Sequence, residues 1–145
     1  MLKLCVAGAA GKMGNAVIRE AVAKGHQVVG AVEAAGNVSI GKSLGELGIS
    51  DFDTRIVGPE SIGEAVGNAD VYVTFTAPAA EVQNIPVVAG LGKRIVLGTT
   101  GFTEEQNQRT REAVRAHRGV APSVCLIREG FWRLTAVGLA VSGWR

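Results

Sequence analysis

The chain has 145 residues, a formal net charge of +2, and a composition that is 47% hydrophobic but only 5% aromatic. This length predicts one domain with a single buried core, and the small charge does not favour nucleic acid or a membrane surface as a partner. No apolar stretch is long enough to cross a bilayer, and the first predicted strand follows Met1 at once, so we expect a cytoplasmic protein. A core of aliphatic residues is typical of a parallel sheet that is covered on both faces.

A glycine-rich turn follows the first predicted strand directly. Residues 2–7 are mostly apolar, and the G-x-x-G-x-x-G turn after them leads into a helix predicted from Met13 to Lys24. The first amides of a helix lack intrahelical acceptors and favour an anion, and glycine lets a phosphate approach the backbone. We therefore predict a diphosphate cradle, rather than a turn without a ligand, formed by Gly8, Ala9, Ala10, Gly11, Lys12, Met13 and Gly14.

An acidic residue ends the second predicted strand, which covers residues 27–33. Glu33 follows Gly14 at close to the interval of about 20 residues that dinucleotide-binding folds use. A carboxylate in this position accepts hydrogen bonds from the hydroxyls of the adenosine ribose. The order of strand, glycine turn, helix, strand and acid therefore predicts a dinucleotide site with Glu33 on the ribose.

The rest of the chain alternates between strand and helix patterns. Strands are predicted at 55–57, 70–76 and 94–98, and a single helical turn is predicted at 43–47. Helices are predicted from Pro59, after Pro78 with a break near Pro86, and from a Thr103 cap to about His117. This alternation predicts an α/β fold, a doubly wound parallel sheet of Rossmann-like type in a truncated three-layer α/β/α domain.

In such a sheet, ligands bind outside the carboxyl ends of the strands. The residues that follow the predicted strands should therefore line one crevice together with the glycine turn. They are Glu33, Phe75, Thr76, Gly98, Thr99 and Thr100.

The cysteines and histidines do not indicate a metal site. Cys5 and Cys125 lack metal-ligand spacing, and Cys5 is predicted to be a small buried hydrophobic residue. His26 and His117 stand alone in polar surroundings, and we expect both to be solvated near helix ends.

Three segments together carry a resemblance to a known family. The turn at 8–14, the segment Phe75-Thr76-Ala77-Pro78 and the run Gly98-Thr99-Thr100-Gly101-Phe102-Thr103 resemble the dihydrodipicolinate reductases, now called 4-hydroxy-tetrahydrodipicolinate reductases. The resemblance covers roughly residues 1–118. It implies hydride transfer from NADH or NADPH to a cyclic dicarboxylated imine in lysine and diaminopimelate biosynthesis. It also implies that Phe75, Gly98 and Thr99 border the nicotinamide, and that Thr100 approaches the substrate as well.

The resemblance also bears on the choice of cofactor. In many family members an arginine follows the ribose-binding acid and pairs with the 2′-phosphate of NADPH, and here that position is Ala34. Because the Glu33 carboxylate repels a phosphate, NAD(H) is favoured. NADP(H) stays open as the alternative, since Lys12 and Lys42 supply positive charge.

The sequence departs from the family pattern after residue 118. Ala121 and Pro122 match a family segment on the cofactor side, but Ser123 replaces the family's asparagine and the following residues differ. We therefore predict an NAD(P)-binding domain at 1–118 and a divergent or truncated tail at 119–145. The second domain of the family, with its histidine and lysine motif, its substrate-carboxylate segment and its tetramer-forming sheet, has no counterpart in the sequence.

Two consequences follow from that departure. No catalytic residue is assigned, and we expect the chain to bind a dinucleotide but not to catalyse the reduction alone, with the dicarboxylate substrate and the family's homotetramer depending on a second domain. Two alternatives stay open: a non-catalytic NAD(P)-binding module that acts as a redox sensor or assembly partner, and another glycine-turn oxidoreductase, such as an aspartate or semialdehyde dehydrogenase. The latter class needs a catalytic cysteine or histidine after the cofactor domain, and Cys125 has no paired histidine to activate it.

Overall fold

A computed structural model describes residues 1–117 and the backbone of residues 124–126. One sheet of six parallel strands, in the order β3-β2-β1-β4-β5-β6, contains β1 (Lys3–Ala7), β2 (Gln27–Val32), β3 (Ile56–Val57), β4 (Val71–Thr74), β5 (Arg94–Leu97) and β6 (Val124–Leu126). The helices are α1 (Lys12–Ala23), α2 (Ile62–Gly67), α3 (Pro78–Gly90) and α4 (Glu104–Ala116), and a 3₁₀ turn (Pro59–Ser61) precedes α2. The predicted doubly wound parallel sheet is confirmed.

The sixth strand lies past residue 118, where the sequence analysis set its domain boundary, and it pairs with β5. That boundary stays a prediction. No helix in the described part of the chain combines the length and the apolar character that a membrane span requires.

Two apolar clusters cover the two faces of the sheet because side chains alternate along each strand. On β1, Leu4 and Val6 pack in the same cluster as Val17 and Ile18 of α1. Cys5 and Ala7 face the other way, into a cluster that contains Ile62 and Val66 of α2 and Ile85 and Val88 of α3. The result is the three-layer arrangement expected from the alternating pattern.

Helix α3 corrects one prediction. The sequence analysis placed a break near Pro86, but the helix continues from Pro78 to Gly90 with Pro86 inside it. Pro86 and Val87 lie on the exposed side of this helix, where the proline ring does not disturb the core. The opposite side carries the buried residues, which are Glu81, Asn84, Ile85, Val88 and Ala89. Burial of this side holds the helix together despite the hydrogen bond that proline cannot donate.

The long connection between β2 and β3 contains no helix. The predicted helical turn at 43–47 is a single hydrogen bond, 3.2 Å long, from the Leu47 amide to the Ser43 carbonyl. Leu44 and Ile49 are nonetheless buried in the core beside α1. The connection is therefore attached to the domain by packing and by hydrogen bonds, such as the 2.6 Å bond from Thr54 Oγ1 to the Val28 carbonyl, rather than by a helix.

Other local predictions can be compared with the structure. The Thr103 cap of α4 is confirmed as a capping box with Gln106.

Cys5 is confirmed as buried, and burial raises the pKa of its thiol to about 12. The prediction of a solvated His26 is wrong: the ring is 4% exposed, and its Nδ1 accepts a 3.2 Å hydrogen bond from the Leu2 amide. His117 is half-buried at the end of α4.

The packing of β2 against α2 yields a first prediction. A Cβ atom on Gly30 would lie 2.2 Å from the Ala65 carbonyl oxygen of α2, whereas one on Gly67 would meet nothing within 4 Å. We expect Gly30→Ala to lower the free energy of unfolding by at least ~2 kcal/mol, because backbone must shift to admit the methyl group. Gly67→Ala is the matched control and should be neutral or stabilising. Urea unfolding measures both, and equal effects would contradict the close packing at Gly30.

Candidate functional site

The candidate site lies where the order of strands along the sheet reverses. The chain builds β1, β2 and β3 towards one edge and then returns to place β4 on the other side of β1. Hydrogen bonds continue past the strand ends, from the Phe75 amide to the Ala7 carbonyl (3.1 Å) and from the Gly98 amide to the Thr74 carbonyl (2.9 Å). The loops after β1, β4 and β5 therefore leave the sheet side by side, which is the position in which open α/β sheets bind ligands.

Gly8 and Gly14 are required by close backbone approaches. Gly8 has a φ of +77°, and a Cβ atom there would lie 2.3 Å from the Phe75 carbonyl oxygen. A Cβ atom on Gly14 would lie 1.9 Å from the Gly8 carbonyl oxygen. These two glycines therefore hold the turn between the β4 loop and the first turn of α1.

Gly11 is different, because its backbone does not itself require glycine. It is the exposed N-cap of α1 with a φ of −75°, and an added Cβ would meet only the Gly8 carbonyl oxygen, at 3.2 Å. Apart from that oxygen and the adjoining residues, an added Cβ would have no neighbour within 4 Å. Internal packing therefore constrains Gly11 less than its two neighbours in the motif.

The amides of the turn fall into two groups. Those of Gly8 and Ala9 donate to the Val32 carbonyl, and that of Gly11 donates to the Gly8 carbonyl. The first bond at the start of α1 runs from the Asn15 amide to the Gly11 carbonyl (2.9 Å), so the three amides before it have no intrahelical acceptor. Lys12, Met13 and Gly14 are therefore the residues of the predicted segment whose amides are left without an acceptor inside the helix.

Glu33 is clamped beside this turn and is only 8% exposed. Its Oε1 accepts a hydrogen bond from the Ala10 amide (2.9 Å), and its Oε2 accepts from the Ala34 amide and from Asn37 Nδ2, both at 3.2 Å. Three N–H donors thus orient the carboxylate and join the end of β2 to the glycine turn. The sequence analysis placed Glu33 here but missed Asn37, whose only signal is its position four residues further on.

The loops after β4 and β5 are joined to each other. The Thr76 amide donates to Thr99 Oγ1 at 2.9 Å, and the Phe75 ring lies so close to Gly98 that an added Cβ would come within 2.3 Å of Cε1. Thr100 follows in the same loop and is half-buried. The structure thus brings four of the predicted residues together, while Ala121 and Pro122 lie outside the described residues.

A buried polar network beneath the β4 loop is absent from the sequence analysis. Glu81, in the first turn of α3, is fully buried, and its carboxyl accepts hydrogen bonds from Thr74 Oγ1 (2.5 Å), Thr76 Oγ1 and Tyr72 Oη (3.3 Å). Burial raises the pKa of Glu81 although these hydrogen bonds oppose the change. The signal was present, because Glu81 shares the i, i+4, i+7 spacing of the buried Ile85 and Val88.

Two surface clefts lie away from these residues. One, lined by Leu2, Ala69, Asp70, Gly92, Lys93 and Arg94, is at the amino ends of the strands. The other lies between α3 and α4. Because the parallel fold directs ligands to the carboxyl ends, we assign neither cleft to the site. No group of histidine, cysteine and acidic side chains in the described ranges has the arrangement of a metal site.

The fold and the crevice define the chain as an α/β domain of Rossmann topology with a glycine turn at its switch point. The sequence profile described as "Dihydrodipicolinate reductase, N-terminus" matches residues 2–123. The chain belongs to this family.

Named relatives agree with the assignment. The chain is 37% identical over 135 residues to the 4-hydroxy-tetrahydrodipicolinate reductase of Archaeoglobus fulgidus, covering 92% of this chain and 50% of that protein. It is 38% identical over 117 residues to the enzyme of that name from Anaeromyxobacter dehalogenans, covering 79% and 43%. The chain thus spans about half the length of the curated relatives it matches.

Solved structures share the fold at lower identity. The dipicolinate-bound dihydrodipicolinate reductase from Paenisporosarcina sp. TG-14 superposes with a TM-score of 0.58 at 22% identity, over 81% of this chain and 44% of that one. Aspartate semialdehyde dehydrogenase II from Vibrio cholerae superposes with a TM-score of 0.58 at 14% identity, over 88% and 42%. At these identities the likeness concerns the fold alone.

The clamp on Glu33 yields a second prediction. Glu33→Ala leaves three N–H donors without their acceptor, and we expect the free energy of unfolding to fall by about 2 kcal/mol. Glu33→Gln retains one acceptor oxygen and should lose less. Glu64→Ala, at an exposed site in the first turn of α2, is the control for loss of a glutamate and should change stability little. Equal losses at Glu33 and Glu64, measured by urea unfolding, would show that the clamp does not stabilise the fold.

Proposed function

We propose that this chain is the NAD(P)-binding domain of a reductase of the dihydrodipicolinate family. The observation that carries the proposal is the start of α1, where three amides without intrahelical acceptors lie beside the clamped Glu33 at the switch point. The described residues fit a dinucleotide, because they offer an anion site, an oriented carboxylate and a pair of joined loops in one crevice.

The diphosphate would lie on the amides of Lys12, Met13 and Gly14. The positive end of the α1 dipole and the Lys12 side chain both favour an anion there. Gly11 supports this pose, because it leaves the space in front of the helix empty although its backbone conformation would accept a side chain. In this pose, the bound diphosphate rather than the packing of the fold accounts for a glycine at position 11.

The adenosine ribose would lie against Glu33. Its two carboxylate oxygens offer about four acceptor positions, of which three are taken by N–H groups of the protein. The remaining capacity suits a ribose hydroxyl and repels a phosphate. Ala34 is exposed and brings no positive charge, which supports a preference for NAD(H), while Lys12 and Lys42 leave NADP(H) as the alternative.

The nicotinamide would lie between the loops after β4 and β5, near Phe75, Thr76, Gly98, Thr99 and Thr100. The bound cofactor supplies the hydride. The residues of the chain orient the ring and exclude water, and Thr100 would also face the substrate, a cyclic dicarboxylated imine of lysine and diaminopimelate biosynthesis. In the whole protein, a further domain would complete the substrate site, donate the proton and form the homotetramer, and the chain alone would bind the cofactor without turning over substrate.

Binding of NADH to the 145-residue chain tests the proposal directly. Gly11→Val places a branched side chain where the diphosphate would lie, and we expect it to abolish binding while leaving the fold intact. Gly67→Val is the matched control, because Gly67 ends α2 shortly before β4 begins, and a Cβ atom there would meet nothing within 4 Å. NADH fluorescence measures affinity, and circular dichroism checks folding. Unchanged affinity in Gly11→Val would place the diphosphate elsewhere.

The choice between the two cofactors gives a further prediction. Ala34→Arg adds a cation beside Glu33, and we expect the ratio of NADPH to NADH affinity to rise about tenfold, since arginine pairs with a phosphate through charge-assisted hydrogen bonds. Ala35→Arg adds the same charge at the next exposed position and serves as the control. Fluorescence titration with each cofactor measures the ratio. An equal rise in both variants would indicate a general effect of charge rather than recognition of the 2′-phosphate.

A further inference from the structure

We infer that Glu81 is a positioning residue for the nicotinamide side of the crevice, where its buried carboxyl group holds Thr76. This role deepens the proposed function and rests on it. Glu81 itself faces the core beneath the β4 loop, so its influence on a bound cofactor passes through the residues above it.

The contacts connect Glu81 to both loops of the crevice. Its Oε1 accepts hydrogen bonds from the hydroxyls of Thr74, in the last position of β4, and Thr76, in the loop. The Thr76 amide in turn donates to Thr99 Oγ1, in the loop after β5. One carboxyl group therefore fixes the Thr76 side chain from below, and the Thr76 backbone fixes the neighbouring loop.

Among residues 1–117, no positively charged side chain forms an ion pair with Glu81. Its titratable neighbour on β4 is Tyr72. The pKa of Tyr72 is raised by burial and by the charge of Glu81. Tyr72 in turn lies near Cys5 of β1, and burial raises the pKa of Cys5 to about 12. The other polar groups against the network are Thr74, Thr76 and Asn84, all neutral. Burial without an ion pair is therefore the main cause that raises the pKa of Glu81.

The direction of the pH effect follows from this environment. Burial raises the pKa of Glu81 against the opposing effect of the hydrogen bonds that it accepts, so its buried position in the folded chain favours the protonated acid. The arrangement is fully stable below the ordinary glutamate range and loses stability as the pH rises through the raised pKa. An ionised Glu81 must gain solvation, and the half-buried Thr76 loop is the nearest part of the network to solvent. Deprotonation should therefore loosen the loop and weaken cofactor binding.

The test compares three variants of the 145-residue chain over about pH 5 to about pH 9. Glu81→Gln keeps an acceptor for Thr76 but cannot ionise, Glu81→Leu removes the acceptor, and Glu64→Gln neutralises an exposed glutamate in the first turn of α2 as the matched control. Fluorescence titration measures NADH affinity, and the NMR shift of the Thr76 amide reports the loop without cofactor.

We expect the affinity of the unaltered chain and of Glu64→Gln to fall several-fold as the pH rises, while Glu81→Gln keeps the low-pH affinity throughout. Glu81→Leu should bind about tenfold more weakly at every pH, because three hydroxyl donors lose their acceptor. The Thr76 amide should titrate in the unaltered chain and not in Glu81→Gln.

Two negative outcomes can be distinguished. If the unaltered chain binds NADH but Glu81→Gln follows the same pH profile, or folded Glu81→Leu binds with full affinity, the role of Glu81 is overturned and the proposed function stands. If the unaltered chain binds no NADH at any pH, the proposed function fails and this inference fails with it.

Discussion

The site depends on one close approach of backbone to backbone. Gly8 lies in close contact with the carbonyl oxygen of Phe75 on one side and with Gly14, in the first turn of α1, on the other. A side chain on Gly8 or on Gly14 would overlap with backbone atoms. Because this contact joins β1, α1 and the β4 loop, it sets the height of the α1 amides above the sheet and their distance from the neighbouring loops. The geometry available to a ligand follows from that packing.

Two buried glutamates stand on either side of this contact in opposite environments. Glu33 is held by three N–H donors next to the exposed turn, whereas Glu81 is held by hydroxyl groups within an apolar cluster. Burial within the apolar cluster raises the pKa of Glu81. Both carboxyls fix a loop, and in the function that we propose Glu33 lies on the ribose side of the crevice and Glu81 on the nicotinamide side.

The pattern of side chains along the sequence predicted helices and strands well where the signal is local. The apolar run that forms β1 and the Thr103 cap of α4 were both predicted, because each depends on neighbours in sequence. The prediction failed at Pro86 and at His26. In each case a contact from elsewhere in the fold outweighs the local preference: core packing carries α3 through its proline, and the Leu2 amide holds His26 in the interior.

The amino-acid sequence by itself determined the parallel α/β fold, the position of the glycine turn and the acid after β2, because hydrophobic period and turn chemistry are local properties. Only the tertiary structure decided which turn amides stay open and which residues hold Glu33. It also decided that Glu81 lies under Thr76, since residues far apart in the chain meet only once the strands are ordered. The reason is physical: hydrogen-bond partners and burial are set by packing across the sheet, and the sequence pattern does not contain those distances.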